Sequence, residues 1–230
     1  MLMPDALSLR VLDPIAPDEA DLLAEDDTLR AESVRRGVNL DEVLDRLGLA
    51  PTRRLATEQG SADFRLAELL DRLTAAGIRF VLIGGLAGRL YGSTLTTGDL
   101  DICHARDRDN LAALAAMLRG FDAEFRRLPR FTPPVLSAAT FASETDFIFT
   151  TCYGKFDLIG EFTGVGRYRE ASLDAVPAAF GRWDVRVLSL PKLILSKRST
   201  GRPRDALVAA ELEVVALAAQ RLARATRTAS

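Results

Sequence analysis

Two aspartates lie one residue apart inside an apolar segment, and they constrain the fold more than any other feature of the sequence. Asp99 and Asp101 fall in "GDLDICHA", where Leu100 and Ile102 alternate with them. Side chains at positions i and i+2 of a β-strand share a face, so the two carboxylates project together while the apolar residues face the core. Carboxylates held that close repel each other unless a cation neutralises them. The pattern therefore predicts a strand with a cation-binding face.

A glycine pair precedes this strand and follows another apolar segment. "IRFVLI" predicts a buried strand that ends at Gly84 and Gly85, and "GLAGRLYG" predicts a short helix that begins there. Backbone N–H groups at the start of a helix attract anions, and glycine lets a phosphate approach the backbone. Ser93 and Thr97 add hydroxyl groups between the glycines and the acids. We expect these four residues to contact a nucleotide.

A third acid would complete the site. Asp157 interrupts the apolar strand pattern "GKFDLIGEF", and Asp146 in "ETDFIF" is the alternative, although it lies near the start of its strand, where an exposed acid is ordinary. Hard divalent ions take oxygen ligands, and two such ions can activate a hydroxyl and stabilise the leaving phosphate. We therefore expect Asp99, Asp101 and Asp157 to hold two Mg²⁺ or Mn²⁺ ions and to be the catalytic residues.

The order of predicted elements indicates the fold class. Helices and strands alternate from residue 62 onward, but "ETDFIFTT" and "KFDLIGEF" predict a hairpin that breaks the alternation. An α/β chain of the α+β kind is expected, with a mixed sheet flanked by helices. We divide the 230 residues into an N-terminal extension (1–60) with one or two short helices and some loosely ordered chain, a catalytic core (61–190) and a C-terminal helical part (191–230).

Composition excludes few functions. The net charge is -2, so the chain carries no overall basic surface for nucleic acid. Cys103 and Cys152 lie in apolar, strand-like segments and are expected to be buried and reduced. The N-terminus does not resemble a signal peptide and no apolar run approaches the length of a membrane span, so we expect a cytoplasmic protein without a membrane partner. His104, the single histidine, is expected not to be catalytic.

The ordered set of motifs resembles the nucleotidyltransferase superfamily with the DNA polymerase β-like fold. The shared elements are "IGG" at 83–85, "DLDI" at 99–102 and Asp157. Within that superfamily the chain is similar to the AbiEii/AbiGii-type nucleotidyltransferases, many of which are toxins of toxin–antitoxin pairs. The blocks that carry this similarity are "GGLAGRLYGSTLTTGDLDI", "GKFDLIGEFTGVGRY" and "LSLPKLILSKRSTGRPRDALVAAELE". The resemblance covers residues 62–224 and leaves the N-terminal extension unexplained.

The resemblance implies further site residues. It assigns the metal to the three aspartates and phosphate contacts to the glycines and Ser93, and it adds basic positions at Lys192, Lys197 and Arg202. Arg204 and Asp205 belong to the same "RPRD" block, which has a structural or a functional role. Leu95 departs from the family, where an arginine is common.

The implied activity is transfer of a nucleoside monophosphate from an NTP to a hydroxyl, with release of pyrophosphate. As a toxin the protein would act on the 3′ end of tRNA or another RNA and would have an antitoxin protein as its partner. Two alternatives stay open: transfer to a small molecule, as in antibiotic-modifying relatives, and a non-catalytic regulatory or binding protein that retains the fold. Two basic stretches, "KRSTGRPR" and "FRRLPRFTP" (125–133), are interpreted either as solvated loops or as surfaces for phosphate or an acceptor.

Overall fold

The computed structural model describes residues 12–56, 65–126, 135–180 and 182–228. Residues 62–64, at the start of the alternating helices and strands, and most of the basic stretch 125–133 lie outside these ranges. Within them, none of the helices combines the length and the apolar character that a membrane span requires.

A mixed β-sheet forms the centre of the molecule. In the described ranges it has seven strands in the order β3-β4-β5-β2-β1-β9-β8, and β6 and β7 form a separate two-stranded ribbon. The strands are β1 (Phe80–Leu82), β2 (Asp99–His104), β3 (Glu124–Phe125), β4 (Asp146–Thr151), β5 (Gly154–Ile159), β6 (Glu161–Phe162), β7 (Gly166–Arg167), β8 (Val176–Phe180) and β9 (Trp183–Val187). β2 pairs with β5, and β1 with β9, in parallel, and the other neighbours are antiparallel. The predicted hairpin is formed by β4 and β5, and the expectation of a mixed sheet is confirmed.

Helices flank this sheet. They are α1 (Pro17–Ala24), α2 (Asp27–Arg35), α3 (Leu40–Leu47), α4 (Pro51–Ala56), α5 (Leu66–Ala75), α6 (Gly84–Leu90), α7 (Arg108–Arg119), α8 (Ala138–Ser143), α9 (Tyr168–Ser172), α10 (Leu190–Ser199) and α11 (Pro203–Thr228). Local signals explain where α3 begins and ends: the side chain of Asn39 accepts a hydrogen bond from the backbone N–H of Glu42, and the helix ends at Gly48.

The N-terminal region contains more structure than the sequence predicted. One or two short helices were expected in residues 1–60, whereas the described part of that region forms four, α1 to α4. Leu23, Leu29 and Val43 of these helices are buried in the same hydrophobic core as the sheet. α1, α2 and α3 pack against α11, at the other end of the chain. Their short apolar faces are covered by this distant helix, which no local pattern can indicate.

Two further expectations were wrong or incomplete. Cys103 is buried as predicted, but Cys152 is exposed, because it lies in the turn between β4 and β5 rather than in a strand. The edge strand β8 was not predicted, since its sequence "VPAAF" contains Pro177 and two alanines. Proline is tolerated at a sheet edge, where one side of the strand has no partner.

Strand register brings the glycines and the acids together. Asp101 on β2 pairs with Asp157 on β5, and Ile102 pairs with Leu82 on β1. Immediately after β1, the N–H of Ile83 donates to the carbonyl of Asp101 at 3.1 Å. The chain therefore enters α6, through Gly84, directly beside the Asp101 side chain.

Candidate metal centre

Three carboxylates converge on one face of the sheet. Asp99 and Asp101 come from β2 and Asp157 from the adjacent parallel strand β5. One carboxylate oxygen from each lies within 4.8 Å of the others, and all three residues are half-buried. Oxygen ligands at this spacing suit a hard divalent cation such as Mg²⁺ or Mn²⁺, which would offset their mutual repulsion.

The alternative third acid, Asp146, is not part of this group. It is exposed on β4, opposite Ile159, and its Oδ1 accepts a hydrogen bond of 3.1 Å from the backbone N–H of Gly160. The geometry therefore brings Asp157, and not Asp146, to the acidic pair.

The surroundings of Asp101 shift its pKa. Burial, followed by the neighbouring charges of Asp99 and Asp157, raises the pKa of Asp101 to about 7. The positive charge of Lys197 and a hydrogen bond from the backbone N–H of Gly85 act in the opposite direction. Near neutral pH, Asp101 therefore holds a proton in a large share of molecules unless a cation takes its place.

The glycine pair makes room for this carboxylate. Gly84 has φ of +68°, and a Cβ atom at this position would lie 1.9 Å from Asp101 Oδ2. A Cβ atom at Gly85 would lie 2.6 Å from Thr97 Oγ1. Thr97 in turn donates a hydrogen bond from its hydroxyl to Asp99 Oδ1. Both glycines and Thr97 thus set the positions of the acids, a role that the sequence reasoning, which expected nucleotide contacts, did not find.

The acids lie in a cavity of about 460 Å³, within the range of small-molecule sites. Asp146 and Glu161 extend its acidic lining, and Lys197, Arg202 and Arg204 bring positive charge from α10, the loop after it and the start of α11. Apolar side chains complete the lining: Ile83, Leu95, Ile159, Phe162, Leu188, Leu193 and Val208. Glu161 and Phe162 were not predicted as site residues, although they follow Asp157 closely in "FDLIGEF".

Nearby residues hold the basic side chains of the cavity in place. Lys197 Nζ is 2.7 Å from Asp205 Oδ1, and the Thr200 hydroxyl donates to Asp205 Oδ2 at 2.9 Å. Burial opposes ionisation of Asp205, but the bonds from Lys197 and Thr200 outweigh it and lower its pKa. Arg204 donates to the carbonyl of Thr96. Asp205 thereby holds Lys197 at the cavity, close enough to influence Asp101.

Two predicted nucleotide-binding residues have other partners. Lys192 is not among the lining residues: its ammonium lies 2.6 Å from Asp174 Oδ1 and also donates to the carbonyl of Glu170. Ser93 lines the cavity, but it is buried and its hydroxyl donates to Glu211 Oε2 on α11 at 2.5 Å. The structure therefore does not bring Lys192 to the site, and the Ser93 hydroxyl serves to join the chain after α6 to α11.

Neither a protein-family model nor a curated protein matches this chain. A functional interpretation therefore rests on the geometry of the site and on the sequence motifs.

Proposed function

We propose that this protein is a metal-dependent nucleotidyltransferase that moves a nucleoside monophosphate from an NTP to a hydroxyl and releases pyrophosphate. One observation carries the proposal: the carboxylates of Asp99, Asp101 and Asp157 converge within 4.8 Å in a cavity that also contains Lys197, Arg202 and Arg204. Carboxylates grouped in this way suit divalent cations, and basic side chains suit a triphosphate. A metal–nucleotide substrate needs both kinds of group side by side.

The acidic group would hold the metal. Asp99, Asp101 and Asp157 would bind two Mg²⁺ or Mn²⁺ ions, and Asp101 would lose its proton on binding. When bound, the ions would lower the pKa of the acceptor hydroxyl and neutralise charge that develops on the phosphates. Thr97 and Gly84 would keep Asp99 and Asp101 in place during the reaction through the contacts described above.

The basic group would hold the triphosphate. Lys197, Arg202 and Arg204 would bind the β- and γ-phosphates, which leave as pyrophosphate. In the transfer, the acceptor oxygen bonds to the α-phosphorus while the bond from that phosphorus to the bridging oxygen breaks. Asp157, on the strand farther from α6, would take the hydroxyl proton. Positioning and electrostatics would supply most of the catalysis, as in phosphoryl transfer generally.

The acceptor and the biological role rest on the family resemblance alone. An AbiEii/AbiGii-type protein with the polymerase β-like fold would act in the cytoplasm on the 3′ end of tRNA or another RNA, and an antitoxin would restrain it. Expression in bacteria tests this part: growth should stop with the unaltered chain and continue with Asp99→Ala. Normal growth with the unaltered chain would contradict the toxin role and leave the enzymatic proposal in place.

The enzymatic proposal is tested by incubating the protein with each labelled NTP, Mg²⁺, and either total RNA or a small-molecule extract. Label should enter one of these acceptors and should not do so in chelator. Asp157→Asn should lower the rate by about 100-fold or more, because it removes the charge of a proposed metal ligand and the group that would take the hydroxyl proton.

Asp146→Asn is the matched control, since Asp146 lines the same cavity outside the acidic group and the amide oxygen can still accept from Gly160. It should change the rate by less than about tenfold. Equal losses in the two variants, or turnover that persists in chelator, would contradict the proposed metal site.

A further inference from the structure

Arg126 lies in one row with the acids across the sheet. Its backbone N–H, directly after β3, donates to the carbonyl of Ile148 on β4 at 2.8 Å. Ile148 pairs with Asp157 on β5, and Asp157 pairs with Asp101 on β2. Residues directly opposite each other on neighbouring strands share a face. The register therefore directs the side chains of Arg126, Ile148, Asp157 and Asp101 to the same side of the sheet.

The Arg126 side chain crosses β4 to reach the acids. Neighbouring strands are about 4.8 Å apart, so its backbone is two strand spacings, roughly 10 Å, from that of Asp157. Even so, Arg126 Nη1 lies 3.9 Å from Asp157 Oδ1, and the Arg126 side chain is 35% exposed. This distance is longer than a hydrogen bond. Arg126 is not one of the residues that line the cavity; its guanidinium lies beside the acidic group in a loose ion pair and is open to solvent.

Arg126 approaches from the side opposite to the other cations. In the sheet order, β3 and β4 lie on one side of the acidic strands β5 and β2, whereas β1 and β9 lie on the other. Lys197, Arg202 and Arg204 belong to elements that follow β9, and α10 packs against α6, which follows β1. The acids therefore separate Arg126 from the proposed triphosphate site.

We propose that Arg126 binds a phosphate group of the acceptor, next to the hydroxyl that receives the nucleotide. This inference rests on the proposed function and names the chemical class of its second substrate. An anionic acceptor that approaches Asp157 from the β3 side would meet Asp146 and Asp157, and their charges would repel it. Arg126 offsets this repulsion, and its planar fork of N–H donors matches a phosphate. A neutral acceptor would have no need of it.

The test compares pairs of acceptors in which one member carries a charged phosphate and the other is neutral at that position. The first is a ten-nucleotide RNA with a free 3′ hydroxyl, and the second is the same RNA with its last internucleotide phosphate replaced by a neutral methylphosphonate. Glycerol 3-phosphate and glycerol form the corresponding small-molecule pair. Transfer from labelled NTP with Mg²⁺ gives kcat and KM for each acceptor. The full-length protein should use the charged member of a pair about 10- to 100-fold better, the range for a hydrogen bond to a charged group.

Variants assign this preference to Arg126. Arg126→Ala should raise the KM for the charged acceptor by about 10- to 100-fold and lose the preference, with a much smaller change in the KM for NTP. Arg126→Lys should restore part of the preference, because it returns the charge without the fork. Arg108→Ala, at an exposed position on α7, is the control and should keep the preference. A defect in folding alone would lower the apparent kcat with every acceptor, because less of the protein is active, and would leave the KM values unchanged.

Each outcome has one consequence. Preference for the charged RNA but not for glycerol 3-phosphate identifies a polynucleotide end as the source of the phosphate, and the reverse identifies a small phosphorylated molecule. Three results would overturn the inference alone. They are equal use of charged and neutral acceptors, release of pyrophosphate with water as the only acceptor, and a preference for the charged acceptor that survives in Arg126→Ala. Full-length protein that releases no pyrophosphate from any NTP would overturn the proposed function together with it.

Discussion

The backbone of Gly84 and the side chain of Asp101 are in such close contact that only glycine fits at position 84. A Cβ atom at position 84 would lie 1.9 Å from Asp101 Oδ2, and φ of +68° also disfavours any residue with a side chain. We predict that Gly84→Ala displaces the Asp101 carboxylate. Binding of Mn²⁺, measured by calorimetry, should weaken at least tenfold, and nucleotide transfer should fall by about 100-fold or more.

Gly77→Ala is the control for backbone strain, because it introduces the strain without the contact to a carboxylate. Gly77 has a similar φ of +63°, but a Cβ atom there would meet nothing within 4 Å. The substitution should cost about 1–2 kcal/mol of stability through strain alone and leave Mn²⁺ binding unchanged. Equal Mn²⁺ affinities in the two variants would show that the Gly84–Asp101 contact does not shape the site.

Asp101→Asn should stabilise the metal-free protein while it removes the proposed activity. The folded-state pKa of Asp101 is raised from 3.8 to about 7 by burial and by its two acidic neighbours. Between these values the folded protein retains a proton that the unfolded chain releases, so stability falls as pH rises through this window. At pH 8 the variant should therefore be more stable by on the order of 2 kcal/mol, or roughly 4–8 °C in melting temperature.

Thermal melting with and without Mg²⁺ checks this prediction. Mg²⁺ should raise the melting temperature of the unaltered protein and have little effect on Asp101→Asn. Asp184→Asn, at an exposed position on β9, should behave like the unaltered protein. A variant that is less stable at pH 8 and more stable near pH 4 would reverse the expected sign and contradict the assignment of the repulsion to Asp101.

Local patterns were sufficient to predict the acidic group, because each part of it is recorded in a short stretch of sequence. Alternation of Asp99 and Asp101 with apolar residues predicted β2, the glycines predicted the start of α6, and Asp157 was the acid that interrupts an apolar strand. Parallel pairing of β2 with β5 then brings the acids together. Periodicity thus identified the residues of the acidic group, whereas their convergence depends on the pairing of β2 with β5, which periodicity leaves open.

Partners that come from distant parts of the chain could not be predicted in this way. The Ser93 hydroxyl binds Glu211, and Lys192 binds Asp174, because tertiary packing and not spacing decides which charged group is nearest. The approach of Arg126 to Asp157 depends on the order of strands in the sheet, which the sequence pattern leaves open. The role of α1 to α4 was missed for the same reason.

Arg54, on α4, links the N-terminal helices by hydrogen bonds to α6, the helix that begins at Gly84. Its guanidinium is fully buried and donates to the carbonyl of Leu47, at the end of α3, at 2.8 Å and to that of Leu90, at the end of α6, at 2.6 Å. Burial and the nearby Arg46 lower its pKa to about 10, so it stays charged at neutral pH. Carbonyls at helix ends carry partial negative charge and favour such a cation.

Loss of this side chain should destabilise the protein severely. Arg54→Met would remove these donors and leave the carbonyl of Leu47 only the backbone N–H of Ile15, at 3.1 Å. We expect a loss of about 3–5 kcal/mol in the free energy of unfolding, measured with urea. Arg53→Met changes the exposed neighbour on the same helix and should cost about 0.5 kcal/mol or less. Similar stabilities for the two variants would show that α4 contributes nothing through this contact.

His104 should make the protein sensitive to acid. The side chain is fully buried on β2, and burial, followed by the charge of Arg106, lowers its pKa from 6.5 to about 4. Between these values the unfolded chain binds a proton that the folded protein excludes, so stability is lost as pH falls from 6.5 towards 4. Each pH unit inside the window costs up to about 1.4 kcal/mol, which gives about 3 kcal/mol in all.

Because the chain has a single histidine, its imidazole resonance can be followed by NMR without assignment. The midpoint should lie near 4, or the ring should stay neutral until the protein unfolds. His104→Phe retains an aromatic ring of similar size. Protonation of carboxylates destabilises this variant and the unaltered protein alike, so that contribution cancels when the two are compared. The difference in stability between the two proteins should therefore shift in favour of the variant as pH falls from 7 to 4. A midpoint near 6.5, or a difference that does not vary with pH, would mean that the ring is hydrated rather than enclosed by β2 and its neighbours.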